Sequence, residues 1–308
     1  FEEAQSLDNL DEIIKAADMV YADSIVTNNK LKIVFTMSSV ARRKPKYLQT
    51  MRGHYELFHV LPFGVKEVVG DNNYIDYERI MRFGLYPEVY QSNEEDAFEV
   101  LEEIVREYLC RDIFMNNTIN KTKPLLELLR QLSLHIGDEI SISKLAKYSE
   151  IDDRTVERYL NLLVEAFVIF RHRPLNRRGK NEVKVRDKYY FWDLGIRNAL
   201  IGNYCHMANR QDREKIWENL CIAERRKELR IRGERFSSFF WRTHNDQAIS
   251  HIEEENTWLI PYKIKWNDFH FLDKIEPYAS TPTAFKKLYG IETQLQVSQS
   301  NLIEFLDQ

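Results

Sequence analysis

The stretch "LAKYSEIDDRTVERYLNLLVEAFVIF", Leu145–Phe170, decides how the middle of this chain folds. Asp152 followed by Thr155 and Val156 is a helix start, because a side-chain oxygen at that place accepts the free backbone N–H groups of the first turn. Val156, Tyr159, Leu160 and Leu163 then recur at three- and four-residue steps and give that helix one apolar face. The preceding "ISISKLAKYSEI", Ile140–Ile151, predicts a shorter helix and a tight turn. The following "VIFRHRPLNRRGKNEVKVRDKYYFWD", Val168–Asp193, predicts two strands around a basic tip. Two helices followed by such a hairpin make a winged helix-turn-helix arrangement.

Working outward, "FEVLEEIVREYLCRDIF" carries Phe98, Leu101, Ile104, Val105, Tyr108 and Leu109 on one helical stripe. "TKPLLELLRQLSLHIG" predicts another helix, with Pro124 near its start and Gly137 as its stop. Between earlier helical stretches, Gly84 and Pro87 in "GLYPEVY" punctuate the chain. Nearer the front, Leu10, Ile13, Ile14 and Ala17 predict a helix, and "LKIVFTMSS", Leu31–Ser39, predicts a buried strand of a parallel sheet. At the far end, "FSSFFWRTHNDQAISHIEEENTWLIPYKIKWND" predicts three strands turning at Asn245-Asp246 and Asn256-Thr257, and "AFKKLYGIETQLQVSQSNLIEFL" predicts helix, strand, helix. "ERRKELRIRGER", Glu224–Arg235, alternates in sign and predicts an exposed, mutually paired helix face. The aromatic run Tyr189–Trp192 predicts a buried strand rather than a base-stacking platform.

Composition sets the outer bounds. With 308 residues, 44% of them hydrophobic, the chain can bury the cores of two or three modest domains. Cys110, Cys205 and Cys221 have no ligand-like spacing and fit a reducing compartment, and the scattered histidines show no metal-ligand spacing either. No apolar run approaches the roughly 18 residues of a membrane span, so the expectation is a cytoplasmic protein away from the membrane. A net charge of -4 offers no global attraction to nucleic acid, and any such contact must rest on local cations.

The ordered series "FEEAQ", "VFTMSS", "GLYPEVY", "YLCRDI", the 145–170 stretch, "YYFWDLGIRNALIG", "WEN" and "FFWRT" resembles prokaryotic AAA-type ATPases with a C-terminal domain of unknown function 4143. The resemblance implies an α/β fold in three parts. Residues 1–75 would be the later part of a P-loop ATPase parallel sheet, residues 76–193 a helical linker and winged helix, and residues 194–308 a degenerate nuclease-like domain of PD-(D/E)xK type. It also implies a chain cut before the strand end that Glu2 and Glu3 mark, since Phe stands first and no G-x-x-x-x-G-K-[ST] loop is present to cradle phosphates.

On that resemblance Glu2 stands on the magnesium side and Glu3 orients the attacking water, Ser38 or Ser39 senses the γ-phosphate, and Arg52 and His54 flank a displaced phosphate-sensing position. ATP and Mg2+ are expected only of the complete family architecture, in which homo-oligomers are also expected. In the nuclease-like part only Glu218 keeps an acidic place. Ser250 and Lys263 stand where relatives carry acids, and Lys265 shares a strand face with Lys263, so nuclease activity is not expected. The rival expectation is a winged-helix regulator binding duplex DNA through Arg154, Arg158, Arg177, Arg178, Lys180 and Lys184, with Arg186 beside them.

Overall fold

The computed structural model describes residues 2–4, 7–27, 31–37, 54–69, 74–106, 122–175, 186–234, 236–243, 245–267 and 277–308. The chain divides into two compact units, Phe1–Val60 with Glu107–Asn120, and Leu61–Arg106 with Lys121–Gln308. Among the described residues it is an α/β structure of eleven α-helices and one seven-stranded mixed sheet.

In the first unit, helix α1 (Leu10–Val26) buries Leu10 and Ile14 against Ala4, with Leu7, Phe35 and Met37 packed around them. The expected parallel sheet is absent from the described residues of this unit. Residues 31–37 join no ladder. The Ala4 N–H does donate to the Thr36 carbonyl at 2.9 Å, but a strand becomes part of a sheet only through a run of such bonds.

The second unit begins with α2 (Tyr77–Phe83), α3 (Pro87–Gln91) and α4 (Glu94–Ile104). Asp76 and Asn93 cap α2 and α4 by accepting from Arg79 N and Asp96 N. Next come α5 (Thr122–Leu134), α6 (Ile142–Ser149) and α7 (Asp153–Glu165), then strand β1 (Ile169–Pro174) pairing antiparallel with β2 (Lys188–Phe191). Helices α8 (Leu194–Ile201) and α9 (Arg213–Ile231) lead to the meander β3 (Ser237–Arg242), β4 (Ala248–Glu255) and β5 (Trp258–Ile264). Asp246 at φ 56° and Asn256 at φ 46° make the two turns, the left-handed conformation that Asn and Asp tolerate best. Strand β6 (Tyr278–Ser280), α10 (Thr283–Tyr289), β7 (Thr293–Val297) and α11 (Leu302–Asp307) complete the unit.

The sheet order is β2-β1-β3-β4-β5-β7-β6, with β1–β3 and β5–β7 parallel and the other pairs antiparallel. The hairpin β1–β2 is therefore continuous with the large sheet. Tyr189, Tyr190, Phe191 and Trp192 are buried, as their apolar density predicts. The Asn219 side chain accepts from Phe191 N–H at 2.7 Å and donates to the Phe191 carbonyl at 2.8 Å, satisfying both backbone groups of that strand end.

Helix α9 runs through the interior and corrects the expectation of an exposed charged face. Glu224, Arg225 and Lys227 are buried. Lys227 Nζ donates to Glu224 Oε1 at 2.7 Å and to the Phe63 carbonyl at 2.8 Å, while Val65 N–H donates to Glu224 Oε2 at 2.5 Å. Alternating signs report pairing, but not whether the pair faces water.

The α2–α8 junction is equally tight. Gly84, at φ 76°, leaves the room that the Asp193 carboxylate fills, and that carboxylate accepts from Leu85 N–H at 2.7 Å and Ile196 N–H at 3.0 Å. A Cβ at Gly195 would lie 2.0 Å from the Phe83 carbonyl oxygen. Gly195→Ala is expected to cost about 3 kcal/mol or more, beyond the usual range for a surface change, read as a lower urea midpoint. Lys227→Met, which strands a buried carboxylate, is expected to cost about 3–5 kcal/mol, and adding Glu224→Gln should restore part of that loss in the same urea titration.

Candidate functional site

The helix pair and hairpin carry the most site-like geometry. Ser141 caps α6 by accepting from Lys144 N–H at 3.1 Å, and Glu150, at φ 53°, ends it. Two residues on, Asp152 accepts from Thr155 N–H at 2.9 Å and from the Thr155 hydroxyl at 2.6 Å, starting α7 as the sequence predicts. Those bonds hold the Asp152 carboxyl below its ordinary range, the hydroxyl first and the backbone N–H second. The buried face of α7 is Val156, Tyr159, Leu160 and Leu163.

Its opposite face exposes Arg154, Glu157, Arg158 and Asn161, at the spacing of one helical stripe. Arg171 on β1 ties this face to the hairpin. Its Nη2 donates to Asn161 Oδ1 at 3.2 Å, and its Nε lies 3.2 Å from Asp187 Oδ2 just before β2. Arg186 is exposed at the same hairpin base. Arg177, Arg178, Lys180 and Lys184 lie outside the described residues.

The four nuclease-like positions are not gathered into one site. Glu218 on α9 accepts a hydrogen bond from the Tyr190 hydroxyl of β2, with Lys188 Nζ at 3.5 Å. Ser250 and Lys263 flank the registered pair His251–Tyr262 of β4 and β5. Strand β2 is four places from β5 in the sheet order, about 19 Å at the usual strand spacing. Lys263 and Lys265 are exposed.

In the first unit Glu2 and Glu3 are exposed, and Glu3 N–H donates to Thr36 Oγ1 at 3.1 Å. His54 Nδ1 is 3.2 Å from Asp18 Oδ1. Ser38, Ser39 and Arg52 lie outside the described residues. Among the described residues no group of three or more His, Cys, Asp or Glu side chains could hold a metal ion.

One constellation has no signature in the sequence. His172 on β1 and His251 on β4 are both fully buried, their rings stacked with centroids 5.4 Å apart. His251 Nε2 is 3.1 Å from Glu253 Oε1, and Arg225 grips both Glu253 oxygens at 2.9 Å. Burial would raise the Glu253 carboxyl, but the hydrogen bonds from His251 and Arg225 bring it down to about 2. For His172, burial first and then the charges of His251, Arg226 and Lys188 push the imidazole well below its ordinary value. Seventy-nine positions separate the two histidines, so only the parallel pairing of β1 with β3 and the antiparallel β3–β4 pair bring them together.

Comparison with known proteins overturns the ATPase resemblance. The family model that matches is a domain of unknown function, DUF8612, over residues 74–204, and neither an AAA-type ATPase model nor domain 4143 matches. The motifs that suggested that family are short runs of common residue types. The phosphate loop that would have tied them to one chemistry is absent from the sequence. The nucleotide roles expected of Glu2, Glu3, Ser38, Ser39, Arg52 and His54 rested on that likeness and fall with it.

An uncharacterized protein of Haemophilus influenzae is 24% identical over 192 residues, 58% of this chain and 48% of its own length. An uncharacterized protein of Methanocaldococcus jannaschii is 24% identical over 306 residues, 90% of this chain and 63% of its own length. This chain thus spans less than two thirds of either relative. No solved structure matches. Among the described residues no helix is long and apolar enough to cross a membrane.

The depressed imidazole sets an acid limit on stability. Because His172 is neutral when folded, the unfolded chain binds more protons once pH falls below the ordinary histidine value. The stability held above that value is then lost on acidification. Between pH 7 and pH 5 the urea midpoint is expected to fall, with about 2 kcal/mol from this group. In His172→Phe the slope over that window should flatten, while the loss from Glu253 protonation, which comes at lower pH, should persist.

Proposed function

We propose that residues 122–191 act as a winged helix-turn-helix that binds duplex DNA. The observation that carries this is the run of α6, a short turn capped by Asp152, α7, and then an antiparallel hairpin. The connection between its strands, residues 175–187, holds Arg177, Arg178, Lys180, Lys184 and Arg186 against Glu182 and Asp187. A helix this short-coupled to its predecessor fits the major groove, and cations on a hairpin reach phosphates beside it.

Several details support the reading. The α7 face away from the core is polar, with Arg154, Arg158 and Asn161 of the residue types that contact base edges or phosphates. Arg171 braces Asn161 and Asp187, so helix and hairpin would meet a duplex as one body. The overall charge of -4 makes the attraction local. Acidic Asp152, Asp153 and Glu157 on the same helix limit non-specific affinity.

Fluorescence anisotropy with labelled duplex DNA tests this over a salt series. Binding at about 50 mM salt is expected, weakening steeply as salt rises, with the log–log slope reduced by about 3 in Arg177→Ala/Arg178→Ala/Lys180→Ala. Arg154→Ala/Arg158→Ala should weaken binding further while leaving the urea midpoint nearly unchanged, since both side chains are exposed. Absence of duplex binding at low salt, or equal binding by the triple variant, sinks the proposal.

A further inference from the structure

A cleft of about 260 Å³ lies between residues 137–139, which precede α6, and the turn end of the β3–β4 hairpin. Its wall is mixed in charge. Lys188 and Arg242 contribute cations, Asp138, Glu139 and Asp246 contribute carboxylates, and Phe240 contributes an aromatic ring. We propose that this cleft binds a small zwitterion with an apolar substituent, of which a free apolar α-amino acid is the simplest example.

Lys188 lines the cation side of the cleft. Its side chain is only 16% exposed. Three N–H donors need partners there, yet among the described residues its one hydrogen bond is the long 3.5 Å contact to Glu218 Oε1. That Glu218 oxygen already accepts from the Tyr190 hydroxyl. The ammonium also sits 5.1 Å from the centre of the Phe240 ring. A carboxylate entering the cleft would supply the missing acceptor, a stronger bond than the one it has.

Arg242 widens the anion side. It is held in place by Glu139 Oε1 and Asp246 Oδ1, each at 3.1 Å, and remains 42% exposed. A guanidinium has five donors, so these two bonds leave others for a ligand. Opposite charge is equally at hand. Glu139 and Asp246 each have a second oxygen, and Asp138, which accepts from exposed Lys215 on both oxygens and lies 3.7 Å from His135 Nδ1, adds negative charge on the same side. An ammonium group on the ligand would find acceptors on that side.

Mixed charge decides the class. A plain anion would gain Lys188 and Arg242 but face three carboxylates, and a plain cation would meet the reverse, whereas a zwitterion satisfies both sets. Ala248, which lines the cleft and is exposed, gives an apolar substituent a surface to cover. The volume accommodates an amino acid of leucine or phenylalanine size.

The test is saturation-transfer NMR and calorimetry on the whole chain with L-phenylalanine and L-leucine as probes. Binding of at least one in the millimolar range or tighter is expected. N-acetyl-L-phenylalanine lacks the ammonium and L-phenylalaninamide lacks the carboxylate, and each should bind about tenfold more weakly than the free amino acid. Arg242→Gln, at a half-exposed position where folding is safe, should weaken the free amino acid by a similar factor. Lys188→Met should do the same, with its circular dichroism checked against the parent. No binding of either probe at about 10 mM, or equal affinity for the blocked derivatives, or no effect of Arg242→Gln, overturns the assignment.

Discussion

The ion pair between Glu224 and Lys227 is the constraint around which the second unit is assembled. Two opposite charges within one turn of α9 are carried into the interior, where neither is tolerated without the other. Each has a further partner in the backbone. Lys227 takes the Phe63 carbonyl and Glu224 takes the Val65 N–H, so a segment more than 150 positions earlier is fixed against the helix by polar bonds. Lys66 repeats the theme at the surface with Glu228 and Asp307. Apolar burial stabilises such a unit without direction, whereas these bonds determine which strand of chain lies where.

A second buried polar system organises the α2–α8 contact. The Asp193 carboxylate caps α8 and at the same time receives Leu85 N–H, so one side chain ends a strand-to-helix turn and anchors a loop from another helix. Asn198 donates to the carbonyls of Met81 and Arg82, and Arg197 donates to the Ser133 carbonyl. Two residues of α8 thus collect the ends of α2 and α5. The matched segment, 74–204, contains these partners, and the network continues past it through the ion pair of Arg197 with Asp212.

Local structure was legible wherever local chemistry decides it. Asp152 and Thr155 announce the start of α7, Asp246 and Asn256 mark turns that need a left-handed residue, and Tyr189–Trp192 have the density of a buried strand. Long-range facts were not legible. Nothing in "ERRKELRIRGER" distinguishes an exposed charged helix from one that crosses a core, because both need paired signs. His172 and His251 are brought together by strand order, a property of pairing and not of spacing. The cleft was equally invisible, since Asp138, Lys188 and Arg242 come from three distant segments. The motif series misled because order without a chemically demanding loop is weak evidence of kinship.

Asn219 has a consequence for how this sheet meets other molecules. Strand β2 ends the seven-stranded array, and an outermost strand ordinarily offers a row of open backbone groups on which foreign chains can template. Here the Asn219 amide occupies both Phe191 groups, Gly137 N–H reaches the Tyr189 carbonyl, and Glu139 bridges to Lys188. A helix and a loop have thus taken the place that an invading strand would need. Self-association by strand addition is blocked on that flank, and among the described residues the opposite flank offers the three residues of β6.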